Sequence, residues 1–131
     1  MSDCQQKIIN FSNALRRLKE GVEKLNQADD LLRDGVIQRF EFTFELAWKS
    51  LKACFEEEGI MNLNSPKAVL IEAFAASLFN DDELWLQMLR DRNLTVHIYN
   101  EEQAIAICQS IQHKYLPALE DLLQKIQGRN S

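Results

Sequence analysis

Apolar residues in this chain recur at spacings of three and four, over stretches that only helices satisfy. Ile8, Phe11, Leu15, Leu18, Val22 and Leu25 make one such seam. Phe40, Phe44, Ala47, Leu51 and Cys54 make a second, widened by Phe42, Trp48 and Phe55. Ala104, Cys108, Ile111, Tyr115, Ala118, Leu122 and Ile126 make a third. On an α-helix this spacing collects side chains into a stripe that another element must cover. The aromatic second stripe is wide enough to be buried on much of its circumference. No segment alternates with the period of a strand, and only four Gly and two Pro interrupt the 131 residues. The pattern predicts an all-α fold: an antiparallel bundle of about four to five helices with short connections, forming one domain over residues 1–131.

Local signals divide the chain. The first helix is expected from Asp3, as N-cap, to about Asp29–Leu32, with Gly21 marking a close approach by a neighbour. Asp34-Gly35 reads as a turn, and the second helix as running from about Val36 to Glu58, with Gly59 closing it. Glu56-Glu57-Glu58 puts three carboxylates at a helix C-terminus, against the dipole, and nothing local explains them. Ser65-Pro66 opens a short helix to about Ser77, with Val69, Leu70, Ala73 and Phe74 inward. Asn80, with Glu83 completing a capping box, opens the next, which carries Leu84, Trp85, Met88 and Leu89. Pro117 lies inside the last helix and should disturb it about a turn earlier.

Composition narrows the function. A net charge of −5 argues against non-specific tracking along nucleic acid but leaves room for a compact basic site, to which Arg16, Arg17, Lys19, Arg90 and Arg92 could contribute. Cys4, Cys54 and Cys108 are odd in number and widely spaced, fitting neither a disulfide framework nor a zinc site. Cys54 and Cys108 read as core residues, and a reduced, cytoplasmic setting is the simplest account. No apolar run reaches the roughly 18 residues of a membrane span. No Gly-rich phosphate loop or nucleophile signature is present, and no cofactor or metal is implied. The Gly-Ser pair and spaced acids of a nucleotidyltransferase are also missing.

One stretch asks for more than packing: Arg92-Asn93-Leu94-Thr95-Val96-His97-Ile98-Tyr99. Thr95, Val96 and Ile98 are β-branched and poor at continuing a helix. On an unbroken helix Arg92 and His97 would diverge by about 140°. A helix ending near Leu94, followed by a short connection presenting His97 and Tyr99, is expected instead. Asn100 then caps a new helix with Gln103 at the reciprocal position, and Glu101 and Glu102 in its first turn would repel an approaching phosphate. A fixed cation, a side chain that exchanges protons near neutral pH and a hydroxyl thus lie within eight residues. Glu45 and Lys49, a helical ion pair by spacing, and Asn93 are further candidates to line such a site.

Arg92 through Tyr99 reads R-x-x-x-x-H-x-Y, and together with the stretch Arg39–Lys52 it resembles the HEPN superfamily. The resemblance is to its branch of toxins paired with minimal nucleotidyltransferases, also catalogued as nucleotidyltransferase substrate-binding proteins, and it covers essentially the whole chain. It implies a helical bundle that forms a homodimer, binds a neighbouring minimal nucleotidyltransferase subunit, and cleaves RNA without metal through Arg92 and His97. It further implies that Tyr99 accepts AMP from the partner and that this silences the toxin. The alternative is a non-catalytic subunit that binds substrate or nucleotide for a two-component nucleotidyltransferase.

Overall fold

The computed structural model describes residues 1–98 and 100–130. Its elements are α1 (Asp3–Glu23), α2 (Asp30–Glu57), α3 (Pro66–Ala75), α4 (Asp82–Leu94), a 3-10 turn (Thr95–His97), α5 (Glu101–Ser110), a π turn (Ile111–Tyr115) and α6 (Leu116–Arg129). There is no strand among the described residues, and the all-α bundle expected from the stripes is what forms. Among the described residues no helix is long and apolar enough to cross a membrane.

The central rod is α2, 28 residues and so roughly 42 Å long. It is antiparallel to α1: Cys4 meets Cys54, the Thr43 hydroxyl reaches the Ala14 carbonyl at 3.2 Å, and Gly21 lies against Val36 and Arg39. α5, the π turn and α6 form one continuous rod that runs alongside α2 in the same direction. Cys108 Sγ approaches the Arg33 carbonyl, Tyr115 stacks on Phe40, and Arg129 pairs with Glu58. The α3–α4 pair takes the chain across between these rods, with Trp85 of α4 packed on Phe44 and on Phe79. Phe11, Phe40, Phe44, Phe55, Trp85 and Tyr115 are essentially excluded from water and form the centre of the core. Each such side chain contributes roughly 1.5–3 kcal/mol by burial.

Several boundaries fall elsewhere than the sequence suggested. Ser2, not Asp3, caps α1: its hydroxyl accepts from Gln5 N–H, while the Gln5 side chain accepts from Ser2 N–H. α1 ends at Glu23, and Asp29 caps α2 by accepting from Leu31 and Leu32, so Asp34-Gly35 lies inside a helix. Only one turn signal can be used between two rods, and Asn26–Asp29 supplies it with side-chain hydrogen bonds that Gly35 lacks. Asp81 rather than Asn80 caps α4, accepting from Leu84 N–H. Phe74 is 43% exposed instead of turned inward.

Gly59 closes α2 as expected, with φ +87 and hydrogen bonds from Gly59 to Glu56 and from Ile60 to Phe55. Ser77, at φ 61, ends α3 by the same pattern. Pro117 is accommodated by the widened π turn immediately before it, which absorbs the missing hydrogen bond.

The expectation of unpaired cysteines is also corrected. Cys4 and Cys54 are joined in a disulfide, with Cα atoms 4.6 Å apart, and Cys108 alone is a free, buried thiol. Fifty positions of separation hid the pairing, because only the antiparallel packing of α1 on α2 brings the two together. The same end explains the three glutamates. Glu57 Oε2 accepts from the Cys4 N–H at 2.8 Å, satisfying an open donor at the start of α1, and Glu58 pairs with Arg129.

Candidate functional site

The turn between α4 and α5 is built by residues that stop one helix and start another. Thr95, itself buried, donates its hydroxyl to the Arg92 carbonyl at 2.7 Å, and the chain tightens into the 3-10 turn at Thr95–His97. Ile98 is extended (φ −85, ψ 115) and packs against the core. The Asn100 side chain then accepts from Gln103 N–H at 2.8 Å and opens α5. This is the predicted break after Leu94, except that His97 sits in a 3-10 turn and not in an extended segment. Tyr99 lies outside the described residues.

Arg92 leaves the last turn of α4 half-buried. Its Nη2 lies 4.0 Å from Glu45 Oε2 on α2, and its Nε is buried without a hydrogen-bond partner. Glu45 is held by its own helix as well, since Trp48 Nε1 donates to Oε2 at 3.0 Å and Lys49 Nζ lies 3.3 Å from Oε1. One carboxylate therefore gathers three donors and sets the position of the guanidinium relative to the α2 rod. Arg92, Glu45 and Lys49 are brought together; Asn93 and His97 are exposed on the same turn. Leu94 and Val96 flank His97 at 54% and 66% exposure, an apolar surface beside the chemical groups.

On the far side of the turn, Arg33 was missed by reasoning from the sequence. It is almost fully buried, donates through Nη1 to the Gln27 carbonyl, and lies 3.3 Å through Nη2 from Glu101 Oε1. The only signal for it was a basic residue on the α2 stripe, which the misplaced start of that helix concealed. Its contact alters the reading of Glu101: the carboxylate expected to repel phosphate has a buried counter-charge beside it.

Beneath the turn, Tyr115 donates its hydroxyl to Asp91 Oδ2, tying the π turn to the residue before Arg92. Burial, then the Asp91 hydrogen bond and charge, hold the Tyr115 hydroxyl protonated well above the ordinary tyrosine range. Burial likewise pushes the Cys108 thiol up to about 11. No three His, Cys, Asp or Glu side chains gather into a metal-binding group among the described residues. The arrangement offers an anchored guanidinium, an imidazole on a solvent-facing turn, and apolar flanks suited to covering by another molecule.

The family described as nucleotidyltransferase substrate binding protein like matches residues 6–128. A probable ribonuclease HepT from Haemophilus influenzae is 32% identical over 105 residues, spanning 77% of this chain and 71% of that protein. A Haemophilus influenzae structure described as the fold of a substrate binding domain of a nucleotidyltransferase superimposes with a TM-score of 0.79 at 25% identity, covering 92% of this chain and 98% of that one. The tri-AMPylated Shewanella oneidensis HEPN toxin, solved in complex with an MNT antitoxin, shares the fold with a TM-score of 0.78 at 19% identity, covering 98% and 99% of the two chains.

Proposed function

The chain belongs to the nucleotidyltransferase substrate binding protein like family, and from that premise we propose that it is the RNA-cleaving toxin of a two-gene module whose other product is a minimal nucleotidyltransferase. The observation that carries the reading is the turn itself. Arg92, held near Glu45, ends α4, and His97 follows in the exposed 3-10 turn at the same α4–α5 break. Similarity to a probable ribonuclease HepT supports it.

The chemistry follows from the side chains. Cleavage of RNA by its own 2′-hydroxyl needs a base for that proton and an acid for the departing 5′-oxygen. One His97 in each of two copies, related by a two-fold axis, supplies both. Arg92 stabilises charge on the phosphorane oxygens. The exposed Leu94 and Val96 fit a dimer contact that brings the two turns together. Tyr99 is the proposed acceptor of AMP from the partner. An adenylyl group beside His97 and Arg92 would block the RNA phosphate by bulk and by charge. That an MNT antitoxin complex of similar fold contains an AMPylated toxin supports this step.

Growth on inducing the wild-type chain is compared with His97→Ala, with and without the adjacent nucleotidyltransferase, and Tyr99 is followed by mass spectrometry. Toxicity that requires His97 and disappears as AMP accumulates on Tyr99 is expected. Toxicity undiminished in His97→Ala would overturn the assignment. The family description itself favours one rival, a non-catalytic subunit that holds substrate for the nucleotidyltransferase. Nucleotide transfer to a third molecule only when both chains are present would establish that rival.

A further inference from the structure

We propose that the groove between α1 and α2 is a second contact for single-stranded RNA, taking a nucleotide that flanks the one at the Arg92–His97 turn. Its phosphate lies against Arg17 and Arg39, and its base stacks on Phe42. The inference rests on the ribonuclease reading for its choice of ligand but concerns a different surface.

The groove has a volume of about 410 Å³ and is lined by Ala14, Arg17, Gly35, Gln38, Arg39 and Phe42. That is within the ordinary range for small-molecule sites. Phe42 is 61% exposed on a helix whose other phenylalanines, Phe40, Phe44 and Phe55, are excluded from water. Packing does not account for it, and an accessible aromatic face is what an unpaired base stacks on.

Arg39 is held in place from α1. Arg39 lies across α1 at Gly21, where a Cβ would stand 3.4 Å from both its Cδ and its Nη1, in ordinary contact. Arg39 Nη1 then donates to the Arg17 carbonyl at 2.7 Å, which fixes the guanidinium and leaves its other nitrogens for a ligand. Arg33, Arg92 and Arg129 each have a carboxylate within 4.0 Å. Among the described residues Arg17 and Arg39 have none. Two guanidiniums without acidic partners beside an exposed aromatic suit a phosphate and a base better than a neutral apolar partner.

The groove and the candidate site draw on neighbouring residues of α2. Phe42 and Glu45 are three apart on α2 and therefore share a face, and Glu45 is the residue that meets Arg92. A strand lying across Arg92 would reach Phe42 one helical turn away. Only an unpaired base can stack there, so a duplex should be a poorer ligand.

The test uses the full-length protein carrying His97→Ala, so that RNA stays intact, and a dye-labelled single-stranded RNA dodecamer read by fluorescence anisotropy. Phe42→Ala and Phe42→Leu should each weaken binding by roughly 10-fold, and Phe42→Trp should restore it. Arg17→Gln and Arg39→Gln should each lower the salt dependence by about 0.7 for every phosphate no longer neutralised. Melting by circular dichroism checks folding, and Arg17, being exposed, gives a variant that leaves the packing alone.

Absence of binding by the parent, equal binding of duplex, or indifference to all of these substitutions would overturn the proposal. So would a change in oligomeric state of Phe42→Ala with RNA binding intact, which would assign the patch to a protein partner. Binding that needs Phe42 and Arg39 in a chain whose His97-intact form cleaves nothing would end the ribonuclease reading and keep the groove. Cleavage without any dependence of binding on these residues would do the reverse.

Discussion

The two ends of α2 are secured in different ways. At its C-terminal end, three helix termini are locked to one another. The Cys4–Cys54 disulfide joins α1 to α2, Glu57 caps the Cys4 N–H, and Arg129 of α6 pairs with Glu58 and lies 5.7 Å over the Phe55 ring. Nearer the N-terminal end, the α4–α5 turn is held by point contacts: Arg92 to Glu45, Thr95 to the Arg92 carbonyl, and Arg33 to Glu101. It leaves Leu94, Val96 and His97 open to solvent. Stability is concentrated where no candidate chemistry lies, and the candidate chemistry sits where the links are few. On the proposed function the turn admits substrate and modification, and such a turn cannot also be sealed.

This comparison predicts that the two ends fail independently. The largest effect is expected from the disulfide, which closes a loop with a sequence separation of 50. By loop entropy it stabilises the fold by about 4 kcal/mol. Reduction, or Cys54→Ala, should therefore lower the melting temperature by roughly 15 °C, while RNA cleavage at permissive temperature is unchanged. Cleavage falling in step with reduction would mean that the ends are coupled.

The next effect is expected at the turn. Arg33→Met strips the Gln27 carbonyl of its buried donor and Glu101 of its counter-charge, at about 1–3 kcal/mol. Hydrogen exchange should quicken over residues 95–104 and stay slow at the start of α1. Adding Glu101→Gln should recover the RNA affinity that the bare carboxylate removes, without recovering the stability. Failure of that partial rescue would show Arg33 acting only as packing.

The sequence disclosed what depends on period and left hidden what depends on meeting. The stripes of α1, α2 and α5–α6 specified a helical bundle because burial follows directly from spacing. The β-branched run after Leu94 and the Asn100 cap specified the break at the site, since both act within a turn of themselves. Three contacts were not legible: Cys4 with Cys54, Glu57 with the Cys4 N–H, and Arg33 with Glu101. Each joins residues at least 50 positions apart, and each exists only once α2 has chosen its neighbours. The Asp34-Gly35 turn failed for a related reason. A Cβ at Gly35 would meet nothing within 4 Å, so no close approach calls for glycine there, and it is tolerated in a helix that starts at Asp30 because of the Asp29 cap.

The smallest effect concerns the link under the turn. Tyr115 keeps its proton in the fold at pH values where the unfolded chain gives it up, because burial and the Asp91 carboxylate both disfavour the phenolate. The sign follows from linkage. Where the unfolded state binds fewer protons than the folded one, stability falls as pH rises. The contribution is fully present below pH 10, the ordinary tyrosine value, and is lost above it. Cys108, raised from 9.0 to about 11, adds the same trend from slightly lower pH. Tyr115→Phe should cost about 1 kcal/mol at neutral pH by removing the hydrogen bond. It should also flatten the alkaline limb, so that parent and variant converge above pH 10 in urea titrations. If the two curves stayed parallel to about pH 11, neither burial nor the Asp91 contact would be holding the Tyr115 proton. The turn would then be anchored from α2 alone, through Glu45 and Arg33.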